Sequence, residues 1–407
     1  MERATRLSRR GLLRGGAAAA VGAAAAAALP RAAHAGSEPR VPAALPPGNA
    51  LAEATVDCHG PHQAGIEAPP QAHGSFVAFR LREGVDRPAL ARLLNLWSDD
   101  IARLTAGRPA LADPVPELAA MPAALTVTVG FGPGFFDAAD LAGQRPAWLA
   151  PLPGFQGDAL DPAWCGGDLI AQVCADDPVT LSHTVGVLAG SAASIATVAW
   201  QQGGFQRAAG LAPPGTIGRN LMGFVDGIIN PRPGTEDFAK VVWSDGAGWL
   251  AGGTGLIVRR IRLDLKGWSA LSTREREQVF GRRASDGAPI TGGAPTDAVD
   301  LGATDARGLS TVPAFSHVRL AAPVAAHERI LRRPYNYDAG LLPDGTPDRG
   351  LIFAAYASDP SRQFVPIQQR LAAGDLLNRW AVTVGSAVFA VPPGFAADGQ
   401  LGEALLG

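Results

Sequence analysis

Three short segments, far apart in the chain, carry side chains whose types could do chemistry together. Gly223-Phe-Val-Asp-Gly-Ile-Ile-Asn-Pro231 offers a carboxylate at Asp226, Phe315-Ser-His-Val-Arg-Leu320 an imidazole at His317, and Ile330-Leu-Arg-Arg333 a guanidinium at Arg332. An imidazole can hold a metal or haem iron. A carboxylate can take a proton and return it, and a fixed guanidinium can stabilise negative charge as a bond breaks. Together they are the minimum set for holding an iron and splitting a peroxide on it. Each member also has a plain structural reading. Asp-Gly-x-x-Asn-Pro makes a turn in which Gly227 supplies a positive φ, and an arginine pair often ends a strand at the surface. His317 stands in the apolar run 312–320, which reads as β-like, and an unpartnered imidazole would be costly there.

The wording and order of these segments resemble the dye-decolourising peroxidase family. The family's His-Ile/Val-Arg-Leu-Ala-Asn-Pro-Arg is matched by His317-Val-Arg-Leu-Ala-Ala-Pro-Val324. Its Leu-Arg-Arg-Gly-Tyr-Ser-Tyr is matched by Leu331-Arg-Arg-Pro-Tyr-Asn-Tyr337, and its Asp-Gly-x-x-Asn-Pro loop is intact from Asp226. Gly60-Pro-His-Gln-Ala-Gly-Ile66, Trp164-Cys-Gly-Gly-Asp-Leu169 and Val258-Arg-Arg-Ile-Arg-Leu263 extend the likeness in order across residues 60–395. The resemblance implies one haem b per chain, with His317 as axial ligand, Asp226 as distal acid–base and Arg332, the first of the pair, as distal guanidinium. It places Gly227, Ile228 and Ile229 at the haem edge, Leu351 and Phe353 on an apolar wall, and Asp375 behind His317.

The departures are specific. Ala322 and Val324 replace the family's Asn and Arg, Ile228 stands where Thr is common, and Pro334 replaces Gly. The missing arginine is the one expected near the haem propionates, and Arg232, Arg319 or Arg329 is a candidate to replace it. The implied activity is reduction of hydrogen peroxide at the expense of bulky aromatic or phenolic reductants or dyes. Such reductants could not enter a closed pocket, so Tyr335, Tyr337, Tyr356 and Trp380 are candidates for an aromatic relay. Two other functions use the same residues: a haem deferrochelatase in iron acquisition, and a haem-binding protein without catalysis.

The elements around these motifs read as alternating strands and helices. Strands are expected over 75–81, 124–130, 168–174 and 255–263, and helices over 87–104, 177–192 and 272–281. Leu351 and Phe353, two apart on one strand, share a face. Leu351-Ile-Phe-Ala-Ala-Tyr-Ala-Ser-Asp-Pro360 aligns without gaps on Leu169-Ile-Ala-Gln-Val-Cys-Ala-Asp-Asp-Pro178, 182 residues earlier. That repeat suggests a duplicated domain. No phosphate loop is present, so the pattern argues for α+β halves with antiparallel sheets, although pattern alone leaves a doubly wound sheet open. The family resemblance implies two duplicated ferredoxin-like domains of the dimeric α+β barrel type. The halves are expected over 51–212 and 213–407, joined near the Gly/Pro-rich 205–220. The polar loop 283–310 is long enough to suggest a function.

Composition closes off several classes. The N-terminus reads Ser8-Arg-Arg-Gly-Leu-Leu13, an Ala/Gly/Val run and a small-residue end at Ala35, the pattern of a twin-arginine export signal. The run is too short and alanine-rich for a membrane span. Cleavage after Ala35, followed by a flexible 36–50, would place the protein in the periplasm or outside the cell. It would also remove six arginines and one glutamate, taking the net charge from −2 to −7. No basic run and no aromatic–basic interleaving occur, which disfavours nucleic acid. The three cysteines cannot all pair within one chain, and Cys58-His59-Gly60-Pro61-His62 lacks the second cluster a zinc site needs. The sequence leaves a homo-oligomer open.

Overall fold

Among the described residues, nine strands, all paired antiparallel, run between helices. The computed structural model describes residues 50–213 and 215–407; the export signal and nearly all of the 36–50 stretch lie outside the described residues. In the first half, β1 (His73–Leu81), β2 (Thr126–Phe131), β3 (Leu169–Ala175) and β4 (Ala196–Phe205) lie in the order β2-β3-β1-β4. In the second half β5 (Thr254–Leu263) pairs with both β8 (Pro347–Ala357) and β9 (Ala381–Val391). The short β6 (Leu331–Arg332) and β7 (Tyr335–Leu341) both pair with β8. They hold one register across Arg333-Pro334, so the proline, which has no N–H to donate, interrupts the ladder without shifting it. Phe131↔Ala390 and Phe205↔Asn336 join the two halves, and the sheet closes into a barrel. A doubly wound parallel sheet is thereby excluded.

β1, β2 and β3 are buried on both faces, with residues alternating between two cores. Phe76, Ala78, Ile170, Cys174, Val258, Tyr335, Tyr356 and Phe389 pack together inside the barrel. Val77, Phe79, Val127, Val129 and Val173 point the other way, under the helices Arg87–Thr105 and Pro178–Ala192. In the second half Ile257, Ala355 and Ala357 pack outward on Phe364 of the helix Pro360–Gly374. Fully burying such side chains contributes roughly 1.5–3 kcal/mol each.

Helix starts follow the expected chemistry. Asp177 and Asp359 cap the two helices that follow β3 and β8, each with proline in the first turn. Ser272 and Glu275 form a capping box for Thr273–Phe280, which ends at Gly281 with φ 89°. One expectation fails: the run 312–320 is not a strand. His317–Ala321 is a short helix that starts after the buried Ser316, whose hydroxyl donates to the Pro313 carbonyl.

Candidate active site

The outward face of the second half's sheet carries the floor of a mostly apolar cavity. Ile261 and Leu351 are cross-strand neighbours there, and Leu263, Phe353 and Ala381 share that floor. Two irregular segments and a helix form the walls: the loop from Asn220 to Ile229, the stretch from Arg282 to Leu301, and the helix His317–Ala321. The enclosed volume is about 360 Å³, and the lining is mostly apolar. Asp226, Ile228, Ile229, His317, Arg332, Leu351 and Phe353 all line this one cavity.

His317 is held from behind. Its Nδ1 donates to Asp375 Oδ2 at 2.6 Å, while Asp375 Oδ1 accepts the Leu377 N–H at 2.9 Å. Asp375 is buried, so its carboxylate is fixed and aims the ring. That contact takes Nδ1, and Nε2 has no partner among the described residues. Phe280 packs on the imidazole with ring centroids 5.6 Å apart.

The carboxylate and the guanidinium are positioned by the loop 218–230. Asp226 N–H donates to Gly218 carbonyl at 3.0 Å, and Gly227 turns the chain at φ 108°. Asn230 then ties the loop to β6: its Nδ2 donates to the Arg332 carbonyl, and its Oδ1 accepts the Arg332 N–H. The other end is held by Asn336, which bonds Arg219 carbonyl and Leu221 N–H, both at 3.0 Å. Arg332 Nη1 reaches 3.1 Å from Asp226 Oδ1. That oxygen is nevertheless buried without a directed hydrogen bond. We take the contact as an unaligned charge pair, because a hydrogen bond needs direction as well as distance. An orphaned carboxylate oxygen beside a cation is poised to accept a proton from something in the cavity.

Arg282 is the residue that sequence reasoning missed. It is 8% exposed, lines the cavity, and donates to the carbonyls of Gly287 and Pro295 at 2.9 Å and of Asp297 at 3.3 Å. No carboxylate reaches it among the described residues. Burial, and then the like charge of Arg332, pull its pKa below the ordinary arginine value. A buried cation without a counter-ion marks a place for an anion. The replacements expected from sequence are committed elsewhere: Arg329 pairs with Asp237, Arg319 bonds the carbonyls of Leu301 and Val312, and neither they nor Arg232 line the cavity. The expected long loop was placed from residue 283, one position too late to include Arg282.

These residues fit a haem. The cavity is apolar, a ring nitrogen is unpartnered, a carboxylate oxygen is orphaned, and a buried cation awaits an anionic group such as a propionate. Elsewhere, Asp57, Cys58 and His59 bring donor atoms within 4.8 Å of one another, but none lines this cavity. Of the relay candidates, Tyr335, Tyr337 and Tyr356 are fully buried in the barrel. Trp380 is half-buried and packs edge-on against Trp268 at 5.4 Å.

Comparison with known proteins shows the family. Residues 63–206 match the family described as Dyp-type peroxidase, N-terminal, and residues 218–396 the one described as Dyp-type peroxidase, C-terminal. The chain is 39% identical to the dye-decolorizing peroxidase of Thermobifida fusca, over 95% of this chain and 94% of that one. It is 33% identical to the deferrochelatase of Escherichia coli, over 86% of each. A DyP-type peroxidase structure from Cellulomonas bogoriensis superposes with a TM-score of 0.85 at 50% identity, covering 88% of this chain and 99% of that one. An oxyferrous complex of DtpA from Streptomyces lividans gives 0.85 at 41% identity, covering 89% and 100%. Two domain matches in order, relatives spanning nearly the whole chain, and a barrel shared with solved structures lead to one conclusion: the chain belongs to the Dyp-type peroxidases, haem-dependent oxidoreductases.

Proposed function

We propose that this protein reduces hydrogen peroxide and draws the electrons from bulky aromatic or phenolic reductants, with Asp226, Arg332 and His317 in the working roles. The observation that carries this reading is the Asp226–Arg332 pair, 3.1 Å apart on the same cavity as the His317 ring. Haem, when bound, supplies the redox centre at which the peroxide O–O bond breaks. Asp226 Oδ1 takes a proton from one peroxide oxygen and returns it to the oxygen that leaves as water. The Arg332 guanidinium stabilises the negative charge that develops on that leaving oxygen. His317 would hold the iron through Nε2, and the short bond to Asp375 gives the ring imidazolate character. Arg282, together with Arg332, would hold the carboxylates of the group. Ile228, Leu351 and Phe353 give the cavity an apolar wall, with Ile229 on its exposed rim.

The test is steady-state oxidation of a phenol by the haem-loaded protein with hydrogen peroxide, comparing wild type with Arg332→Leu. Turnover that falls by two orders of magnitude or more with the Soret band retained supports the reading. Equal turnover in both would reduce the pair to a structural contact and leave a haem-binding protein. Release of iron with intact porphyrin, in place of reductant oxidation, would favour the deferrochelatase role that several relatives at 33% identity carry in their names.

We infer export by the twin-arginine route from Arg9-Arg10 and the small-residue end at Ala35, which suits a protein loaded with cofactor before it leaves the cytoplasm. No helix of the described residues is long and apolar enough to cross a membrane. We also infer that the halves, 51–212 and 213–407, descend from one duplicated ferredoxin-like unit. Numbered within each half, with β6 and β7 as one strand, both lay their strands in the order fourth-first-third-second. The gapless match around β3 and β8, each ending in Asp-Pro at a helix start, supports the same descent.

A further inference from the structure

The helix that carries His317 has five residues, too few to hold itself without outside contacts. At its exit Ala322 turns to extended backbone, φ −60° and ψ 136°, the conformation favoured before a proline. Pro323 then bars any further turn. The last carbonyls of such a helix have no partner within it. Ala322 and Val324, where the family has Asn and Arg, bring no polar side chain to this exit, and Val324 is 78% exposed. The contacts come from the helix Pro360–Gly374 instead. Arg370 Nε donates to the Leu320 carbonyl at 3.1 Å and its Nη2 to the Ala322 carbonyl at 3.0 Å. The same Nη2 lies 2.7 Å from Glu328 Oε2, and that oxygen accepts the Val324 N–H at 3.0 Å. Glu328 is buried, so the charge pair is fixed in place. One guanidinium thus holds the departing chain at residues 320, 322 and 324.

Asp375 stands at the end of the same helix Pro360–Gly374 and accepts from His317 Nδ1. The short helix is therefore bracketed, by Asp375 at its first residue and by Arg370 at its exit. Arg370 itself does not line the cavity. We propose that Arg370 is a positioning residue for the axial imidazole: its grip on the helix exit keeps His317 against Asp375 and so sets how strongly the ring donates to iron. The proposal rests on the reading of His317 as the iron ligand. Without that grip the exit swings free, the His317–Asp375 bond lengthens, and the ring loses imidazolate character. Iron(III) is then less stabilised than iron(II), and the reduction potential rises. Arginine suits this task because its planar fork can meet two carbonyls and a carboxylate at once, whereas lysine offers a point charge.

The experiment titrates the reduction potential of the haem-loaded protein in wild type, Arg370→Ala, Arg370→Lys, Asp375→Asn and the double variant Arg370→Ala/Asp375→Asn. Hydrogen exchange over residues 317–325 and the urea midpoint are measured beside it. Arg370→Ala should move the iron(III)/iron(II) equilibrium roughly tenfold toward iron(II), about 59 mV upward for one electron, and speed exchange over 317–325. Arg370→Lys keeps a positive charge beside Glu328, so it should hold most of the urea midpoint while the potential still rises, by less than in the alanine variant. In the Asp375→Asn background, Arg370→Ala should add no more than about twofold, because it acts through that carboxylate. A wild-type potential in both Arg370 variants, with only the urea midpoint lowered, would reduce the residue to structural support. An undiminished shift in the Asp375→Asn background would overturn the route through His317. If His317→Ala keeps the wild-type haem spectrum, the ligand reading is what fails. Exchange over 317–325 then decides the grip alone: faster exchange in Arg370→Ala supports it, and unchanged exchange sinks it.

Discussion

Asn230 grips the main chain of Arg332 from both sides, donating from Nδ2 to its carbonyl at 2.6 Å and accepting its N–H at Oδ1 at 3.1 Å. The Asp226 loop and the Arg332 strand, 102 residues apart, are thus one mechanical unit. The spacing of carboxylate and guanidinium is set by this amide more than by their own contact, which is unaligned. Asn230→Ala removes both bonds and leaves a half-buried carbonyl and N–H without partners. The expected cost is about 1–3 kcal/mol in unfolding by urea. Peroxide turnover should fall further than haem content, because the pair loosens while His317 stays in place. Equal losses of the two would mean that Asn230 merely supports the fold.

Asp226 and Arg332 should separate in kinetics. Asp226→Asn keeps the shape of the loop and removes the proton acceptor, so turnover in peroxide should fall by roughly 10²–10⁴-fold. Added small carboxylic acids should restore part of that loss. Arg332→Leu should lose a comparable amount with no rescue, since its role is charge stabilisation and not proton transfer. Rescue of both variants by acid would show that the assignments are wrong.

Asp375 acts only through His317. Asp375→Asn keeps a hydrogen-bonding group beside Nδ1 but removes the negative charge that gives the ring its imidazolate character. Haem should still bind, its reduction potential should rise, and activity should fall by roughly tenfold to a hundredfold. A potentiometric titration of the bound haem reads this directly. A potential equal to that of wild type would show that the carboxylate only props the ring.

A buried acid far along the first long helix gives a pH signature. Asp100 is 2% exposed, and burial raises its pKa from 3.8 to about 6, with Asp99 and Asp113 adding to the rise and Ser191 and Arg103 opposing it. A raised carboxyl pKa means that folding favours the protonated form. Its contribution is therefore full below pH 4 and is lost as pH rises through 6. Asp100→Asn should accordingly stabilise the protein by at most about 3 kcal/mol at pH 7.5 and by nearly nothing at pH 4. Urea midpoints at the two pH values check the sign. A gain that is the same at both would point to packing and not to titration.

The parts of the site legible in the sequence were those written in short contiguous motifs. Asp226, His317, Arg332, and the pair Leu351 and Phe353 all line one cavity, whereas Gly227, expected at the haem edge, does not line it and, with Asn230, shapes the loop that carries Asp226. The helix at His317 was misread because five residues are too few to show a 3.6 period, and the apolar neighbours there face the cavity. Barrel closure was hidden for another reason. β1 is buried on both faces, Phe76 inside and Val77 outside, so no alternation marks which face meets which core. The seams between halves are single pairs, Phe131↔Ala390 and Phe205↔Asn336, which no local pattern announces.

Arg282 lay beyond sequence reasoning because nothing local defines it: its partners are main-chain carbonyls five to fifteen residues downstream on an irregular loop. Three carbonyls orient its guanidinium but supply no net charge, and Arg332, also a cation, sits close enough to lower its pKa. A site with two cations and one carboxylate, Asp226, is one negative charge short. The carboxylates of a haem would make up that deficit, whereas a neutral apolar ligand would not. Arg282→Leu should therefore weaken haem retention by roughly tenfold or more, the worth of one charge-assisted hydrogen bond, measured as transfer of haem to an apo-acceptor followed at the Soret band. Iron-free protoporphyrin, which keeps both carboxylates, should lose affinity to the same extent, while its dimethyl ester should bind wild type and variant alike. If the ester discriminates between them as strongly as the free acid does, Arg282 shapes the wall and does not hold an anion.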